Sequence, residues 1–169
     1  MVYIGDRLNL ISGNGSGGFT GWTWDGDSWV SNSTLVDGLI SPGIYSTPSM
    51  IYISNRLNMI NGNGTGQLDG WTWDGDSWVV NITLANGLFD IGTYSAPAMV
   101  YTGSVLNLVA GEGDGVWNGW IWDGDSWVVN DAFVEGLTDV GSRSHPAMFN
   151  MDGEFILISG NFSGLWTGH

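Results

Sequence analysis

Hydrophobic and polar residues alternate along this chain at a period of two, the spacing that places side chains on one face of a β-strand. The stretch after Pro48 shows the whole set of elements. Met50–Ser54 is apolar and predicts a first strand. Arg56–Asn61 sets Leu57 and Met59 against interleaved polar residues and predicts a second. A glycine-rich loop over 62–66 follows. In Gly70–Asp74, Trp71 and Trp73 share one face of a third strand. Asp74-Gly75-Asp76-Ser77 supplies the residues of a tight reversal, because glycine and aspartate accept unusual backbone angles. Ser77–Asn81 then predicts a fourth strand, and a longer connection runs through Gly87 and Gly92. The i, i+3, i+4 apolar stripe of an amphipathic helix does not occur.

The pattern is periodic. Gly21–Val30 and Gly70–Val79 both read GWTWDGDSWV, and Gly119–Val128 reads GWIWDGDSWV, each 49 residues after the last. Leu8, Leu57 and Leu106 keep this spacing, as do Leu39, Leu88 and Leu137. Units of one repeat domain are therefore expected at 1–49, 50–98 and 99–147, with a partial unit over 148–169 that holds strands one and two. Four antiparallel strands in about 45–50 residues is the size of a propeller blade. The expected fold class is all-β, a β-propeller of four-stranded antiparallel blades.

The order of these motifs also carries a resemblance. Ser95-Ala96-Pro97-Ala98, an apolar strand, a glycine loop and Trp73-Asp74-Gly75-Asp76-Ser77-Trp78 resemble the repeats of bacterial seven-bladed propeller lectins of the Photorhabdus type. The unit is also similar to a kelch-type blade. The resemblance implies sugar binding on a propeller scaffold.

Composition narrows the possibilities. The chain has 28 glycines and 11 tryptophans in 169 residues, which suits short strands, tight turns and bulky packing. Its formal charge of −14 opposes nucleic acid and anionic membrane surfaces as partners. No apolar run is long enough to span a bilayer, so membrane insertion is not expected. Absence of cysteine removes disulfides, thiolate metal sites and cysteine nucleophiles.

Candidate chemistry lies with the aromatic residues. Trp22, Trp71 and Trp120 recur at one repeat position, while Trp117 and Trp166 stand where Phe19 and Leu68 do. All five are candidate carbohydrate-stacking platforms; inter-blade packing is the alternative role of Trp22, Trp71 and Trp120, whereas Trp117 and Trp166, outside the repeated set, read as loop or rim residues. Asp25, Asp74 and Asp123 resemble a shortened sialidase Asp-box hairpin, a structural turn with too few carboxylates for calcium. No catalytic constellation, cofactor or metal site is expected, since catalysis needs asymmetric groups and the repeats supply copies. Sequons at Asn14, Asn32, Asn63, Asn81 and Asn161 are possible N-glycosylation sites and favour an extracellular or cell-surface setting. The expected function is a non-enzymatic glycan-binding module; the alternative is an assembly module of a surface filament. Open blade faces predict self-association, or contact with sequence of a longer chain.

Overall fold

The computed structural model describes residues 1–40, 43–62, 65–89, 94, 96–111, 116–138, 145–152, 154–160 and 166–168. Strands β1 (Val2–Ile4), β2 (Arg7–Gly13), β3 (Phe19–Trp24) and β4 (Trp29–Ser31) form one antiparallel sheet. A second sheet holds β5 (Thr47–Ile53), β6 (Arg56–Gly62), β7 (Leu68–Trp73) and β8 (Trp78–Val80). The third contains β9 (Ala96–Thr102), β10 (Val105–Gly111), β11 (Trp117–Trp122) and β12 (Trp127–Val129). In the fourth, β13 (His145–Met151), β14 (Glu154–Gly160) and β15 (Trp166–Gly168) make three strands. Every sheet is a meander whose spatial order is its chain order. The fold is thus all-β, a β-propeller of four-stranded antiparallel blades repeating every 49 residues.

Three details differ from the sequence reading. The first strand of blade 2 begins at Thr47 rather than Met50 and runs through Pro48. Proline fits there because β5 is an edge strand, where a missing N–H breaks no ladder. The last unit contains a third strand, β15, in addition to the two expected. Between blades lie short 3-10 turns, Ser33–Val36 and Ile82–Ala85, which the sequence shows only as connections. Their starts are fixed by Asn32, whose side chain accepts from the Thr34 N–H, and by Asn81, which accepts from Leu84.

Alternation gives every blade two different faces. In blade 2 the leading face carries Leu57, Met59, Trp71 and Trp78, which join Ile11 and Leu35 of blade 1 in one core. The trailing face carries Ile60, Leu68 and Leu84, which pack on Met99, Leu106, Leu108, Trp120 and Trp127 of blade 3. A third and smaller core joins Val109 and Trp117 of blade 3 to Leu157 of blade 4. The cores therefore lie between sheets, and no blade closes one alone. At roughly 25 cal/mol per Å2 of apolar surface removed from water, these interfaces supply the main cohesion of the stack.

Hydrogen bonds clamp the outer rim. The Trp78 indole N–H donates to the Leu35 carbonyl at 2.8 Å, and its backbone N–H donates to Asp37 at 2.8 Å. Trp127 repeats both bonds onto Leu84 and Asn86, again at 2.8 Å. Each clamp closes over a glycine with a left-handed backbone, Gly38 at φ +82° and Gly87 at φ +84°. A methyl group on either would meet the carbonyl of the clamping tryptophan. Gly136, at φ +85°, is the third copy and would have open space around a methyl group.

These glycines separate backbone strain from steric exclusion. Gly136→Ala is expected to cost about 1–2 kcal/mol from the left-handed backbone alone. Gly87→Ala, with the Trp127 carbonyl in the way, should cost clearly more in urea unfolding. Equal losses would show that the clamp yields freely.

Candidate functional site

Two clefts occupy the same place in blades 1 and 2. The first, about 440 Å3, is lined in part by Arg7, Thr23, Asp25, Val30, Ser31 and Asn32. The second, about 630 Å3, is lined by their counterparts Arg56, Thr72, Asp74, Val79, Val80 and Asn81, together with Tyr52 and Trp73. Each cleft opens near the end of the blade that carries the β3–β4 or β7–β8 hairpin.

A relay of short bonds fixes the polar wall. The Asn32 amide N–H donates to the Thr23 hydroxyl at 3.0 Å, and that hydroxyl donates to Asn9 Oδ1 at 2.7 Å. Asn9 in turn donates to the backbone carbonyl of Arg7 at 2.8 Å. Blade 2 repeats the relay through Asn81, Thr72, Asn58 and the Arg56 carbonyl, at 2.8, 2.7 and 2.8 Å. Asn9 and Asn58 are buried, and their amides are satisfied by this relay. The backbone of each arginine is thereby held. Among the described residues no hydrogen bond or ion pair reaches either guanidinium. Blade 3 breaks the pattern: Val105 replaces the arginine and Ile121 the threonine, and Asn107 donates to the Thr102 hydroxyl at 2.8 Å as well as to the Val105 carbonyl at 3.3 Å.

The hairpins beside the clefts are carboxylate-pinned turns. Asp25 accepts from the backbone N–H groups of Asp27 and Ser28 at 2.9 and 2.8 Å. Asp74 and Asp123 make the same bonds. These N–H donors hold all three carboxyls below the usual aspartate range. The turn reading of this motif is thus the geometry observed.

The predicted aromatic platforms behave differently. Trp71 is 3% exposed and Trp120 0% exposed, so neither offers an indole face to a ligand. Trp71 meets Phe19 edge-on with ring centres 6.4 Å apart, and Trp120 lies 5.2 Å from Phe89. Trp117 is corrected too: it is buried between blades 3 and 4 and donates to the Thr138 carbonyl at 3.1 Å. It packs there because its counterparts Phe19 and Leu68 are interface positions rather than rim positions. Trp22 is half-buried on the leading face of blade 1. The backbone of Trp166 begins β15, and its side chain lies outside the described residues.

Among the sequons, Asn32 and Asn81 commit their amide N–H to Thr23 and Thr72. Asn14 is exposed and accepts from Ser16 and Gly18 through Oδ1. Asn63 and Asn161 lie outside the described residues. The arginines were absent from the sequence reading, yet a signal existed. Arg7 and Arg56 are two of only three basic residues, and they stand one repeat apart.

No family model matches this chain, and no curated protein does. Solved structures do match. The lectin SapL1, solved with α-methyl fucoside, is 12% identical, with a TM-score of 0.59 over 96% of this chain and 60% of its own. A fungal lectin from Aleuria aurantia, a six-bladed β-propeller with a fucose recognition mode, is also 12% identical, with a TM-score of 0.52 over 96% and 56%. The intramolecular trans-sialidase of Ruminococcus gnavus is 15% identical, with a TM-score of 0.52 over 93% and 36%. The chain thus spans from about a third to three fifths of their lengths. The likeness establishes the propeller fold. It does not carry over the seven-bladed or kelch-type form of the sequence resemblance, since the Aleuria lectin is six-bladed.

The pinned turns set a pH dependence. Their folded pKa values are depressed, so their stabilisation is complete above the unfolded aspartate value of about 3.9 and is lost as pH falls through the folded values. Acid titration of the melting temperature should show this limb. Replacing Asp25, Asp74 and Asp123 together by Asn should flatten it, and an unchanged limb would assign the acid sensitivity to other carboxylates.

Proposed function

We propose that this chain is a non-enzymatic glycan-binding module whose sites are the two clefts at Arg7 and Arg56. The observation that carries the reading is the pair of arginines in equivalent clefts of a strongly acidic chain, their backbone carbonyls held by identical relays and their guanidinium groups unbonded among the described residues. Five fixed N–H donors on a planar cation suit the ring and hydroxyl oxygens of a sugar. The neighbouring Asp25 and Asp74 stay ionised and can accept from sugar hydroxyls. Trp73 adds an aromatic wall to the second cleft. The lectins that share the fold support a carbohydrate ligand, and fucosides are the first sugars to try. Two copies on one chain favour avidity for multivalent glycans over turnover. An extracellular or cell-surface setting fits such a ligand.

A glycan array followed by calorimetry tests this. Two equivalents of sugar should bind per chain. Arg7→Ala and Arg56→Ala should each remove one, with an affinity loss at the altered site of about ten- to hundredfold, the worth of a hydrogen bond to a charged group. A double variant that binds like the parent would place the sugar elsewhere, and a parent that binds no glycan would end the proposal.

A further inference from the structure

Asparagine is a heat-labile residue, and its loss of ammonia is fastest where glycine follows, because glycine leaves the next backbone nitrogen unshielded. Among the described residues such pairs begin at Asn14, Asn61, Asn86 and Asn118. Three of these side chains or strands are held. Asn61 is 0% exposed and donates to the Gly62 carbonyl at 3.0 Å. Asn118 lies inside β11, paired with Ala110. Asn14 is exposed, but its Oδ1 accepts from the Ser16 N–H, the Ser16 hydroxyl and the Gly18 N–H at 3.1, 3.0 and 2.9 Å. Asn86 differs from all three. It is exposed, and among the described residues neither its side-chain amide nor the Gly87 N–H makes a hydrogen bond. Its repeat counterparts are the acids Asp37 and Glu135.

We propose that Asn86 is a site of spontaneous deamidation, gated by the clamp that holds blade 3. The Gly87 nitrogen attacks Asn86 Cγ. A bond forms between them, the Cγ–Nδ2 bond breaks, and ammonia leaves with the proton of the Gly87 N–H. Water then opens the resulting five-membered imide. Addition at Cγ gives aspartate; addition at the main-chain carbonyl carbon gives isoaspartate, with Cγ now in the main chain. No oxidant or reductant takes part. The gate is geometric. Asn86 is extended, at φ −59° and ψ 132°, and its carbonyl accepts from the Trp127 N–H at 2.8 Å. Ring closure rotates the Asn86 peptide about its Cα–C bond, which swings that carbonyl away from Trp127. The reaction therefore proceeds from the open clamp, and its rate follows the population of that local opening. The two products differ in consequence. Aspartate restores the residue that blade 1 carries as Asp37, and the receiving carbonyl stays in the main chain. Isoaspartate lengthens the chain by one methylene carbon beside the left-handed Gly87 and turns that carbonyl into a free carboxylate. The turn then no longer fits the Trp127 N–H.

Peptide mass mapping of the full chain, held warm at mildly alkaline pH, tests the site. The peptide containing Asn86 should gain the mass of an amide-to-acid exchange about tenfold faster than the peptide containing Asn118, whose strand must open first. Trp127→Phe removes the indole bond of the clamp and should speed the reaction at Asn86 by about two- to tenfold, the worth of one hydrogen bond, while Asn118 keeps its rate. Sub-denaturing urea makes the same comparison on the parent should that variant fail to fold. The Asn86→Asp variant should melt as the parent does, and aged chain rich in isoaspartate should melt lower. An Asn86 that stays intact, or that reacts no faster than Asn118, overturns the proposal. So does a rate at Asn86 that loosening the clamp leaves unchanged. An Asn86→Asp variant that melts as low as the aged chain would assign the loss to the new charge and overturn the role given to the lengthened main chain.

Discussion

The bond from the Trp78 indole to the Leu35 carbonyl joins two sheets that share no strand pairing, and the rest of the structure depends on contacts of this kind. A four-stranded meander of about 45 residues buries too little surface to stand alone. Its alternating side chains produce two apolar faces, and both need cover. The leading face supplies large knobs, Met59 and Trp71 in blade 2. The trailing face of blade 2 supplies smaller aliphatic groups, Ile60, Leu68 and Leu84, and the carbonyl socket of its 3-10 turn. This asymmetry fixes the direction of stacking and leaves glycine at the residue over which each clamp closes.

Strict repetition accounts for the scaffold, and departures from it mark the chemistry. Leu57, Leu88 and Trp78 have identical counterparts in blades 1 and 3 because each interface solves the same packing problem. The arginine and threonine of blades 1 and 2 give way to Val105 and Ile121 in blade 3. That exchange removes a cation and a hydroxyl at once, which dismantles the relay. A polar relay on an inter-blade face is costly unless every member is bonded, so it persists where all of its parts are present.

The fold was largely legible in the sequence because its information is local and redundant. Period-two alternation, the Asp-Gly-Asp-Ser reversal and a 49-residue spacing each specify the same four strands. The site was not legible in the same way. Trp71 and Trp120 look alike as packing residues and as sugar platforms, and only the arrangement of neighbouring blades shows them enclosed. Trp117 was misread because burial between blades 3 and 4 depends on Leu157, some 40 residues on. Arg7 and Arg56 drew no notice since a lone arginine at a strand start is ordinary. Their meaning comes from their guanidinium groups meeting no partner among the described residues, which is a three-dimensional fact.

The clamps also have a direction in time. Socket carbonyls always belong to the earlier blade, Leu35 and Asp37 for Trp78, Leu84 and Asn86 for Trp127. As the chain leaves the ribosome, blades 2 and 3 each meet a receptor that has already been synthesised, and neither waits for a later blade to receive its tryptophan. Assembly can therefore advance in step with translation, with the growing stack serving as the template for the segment that follows.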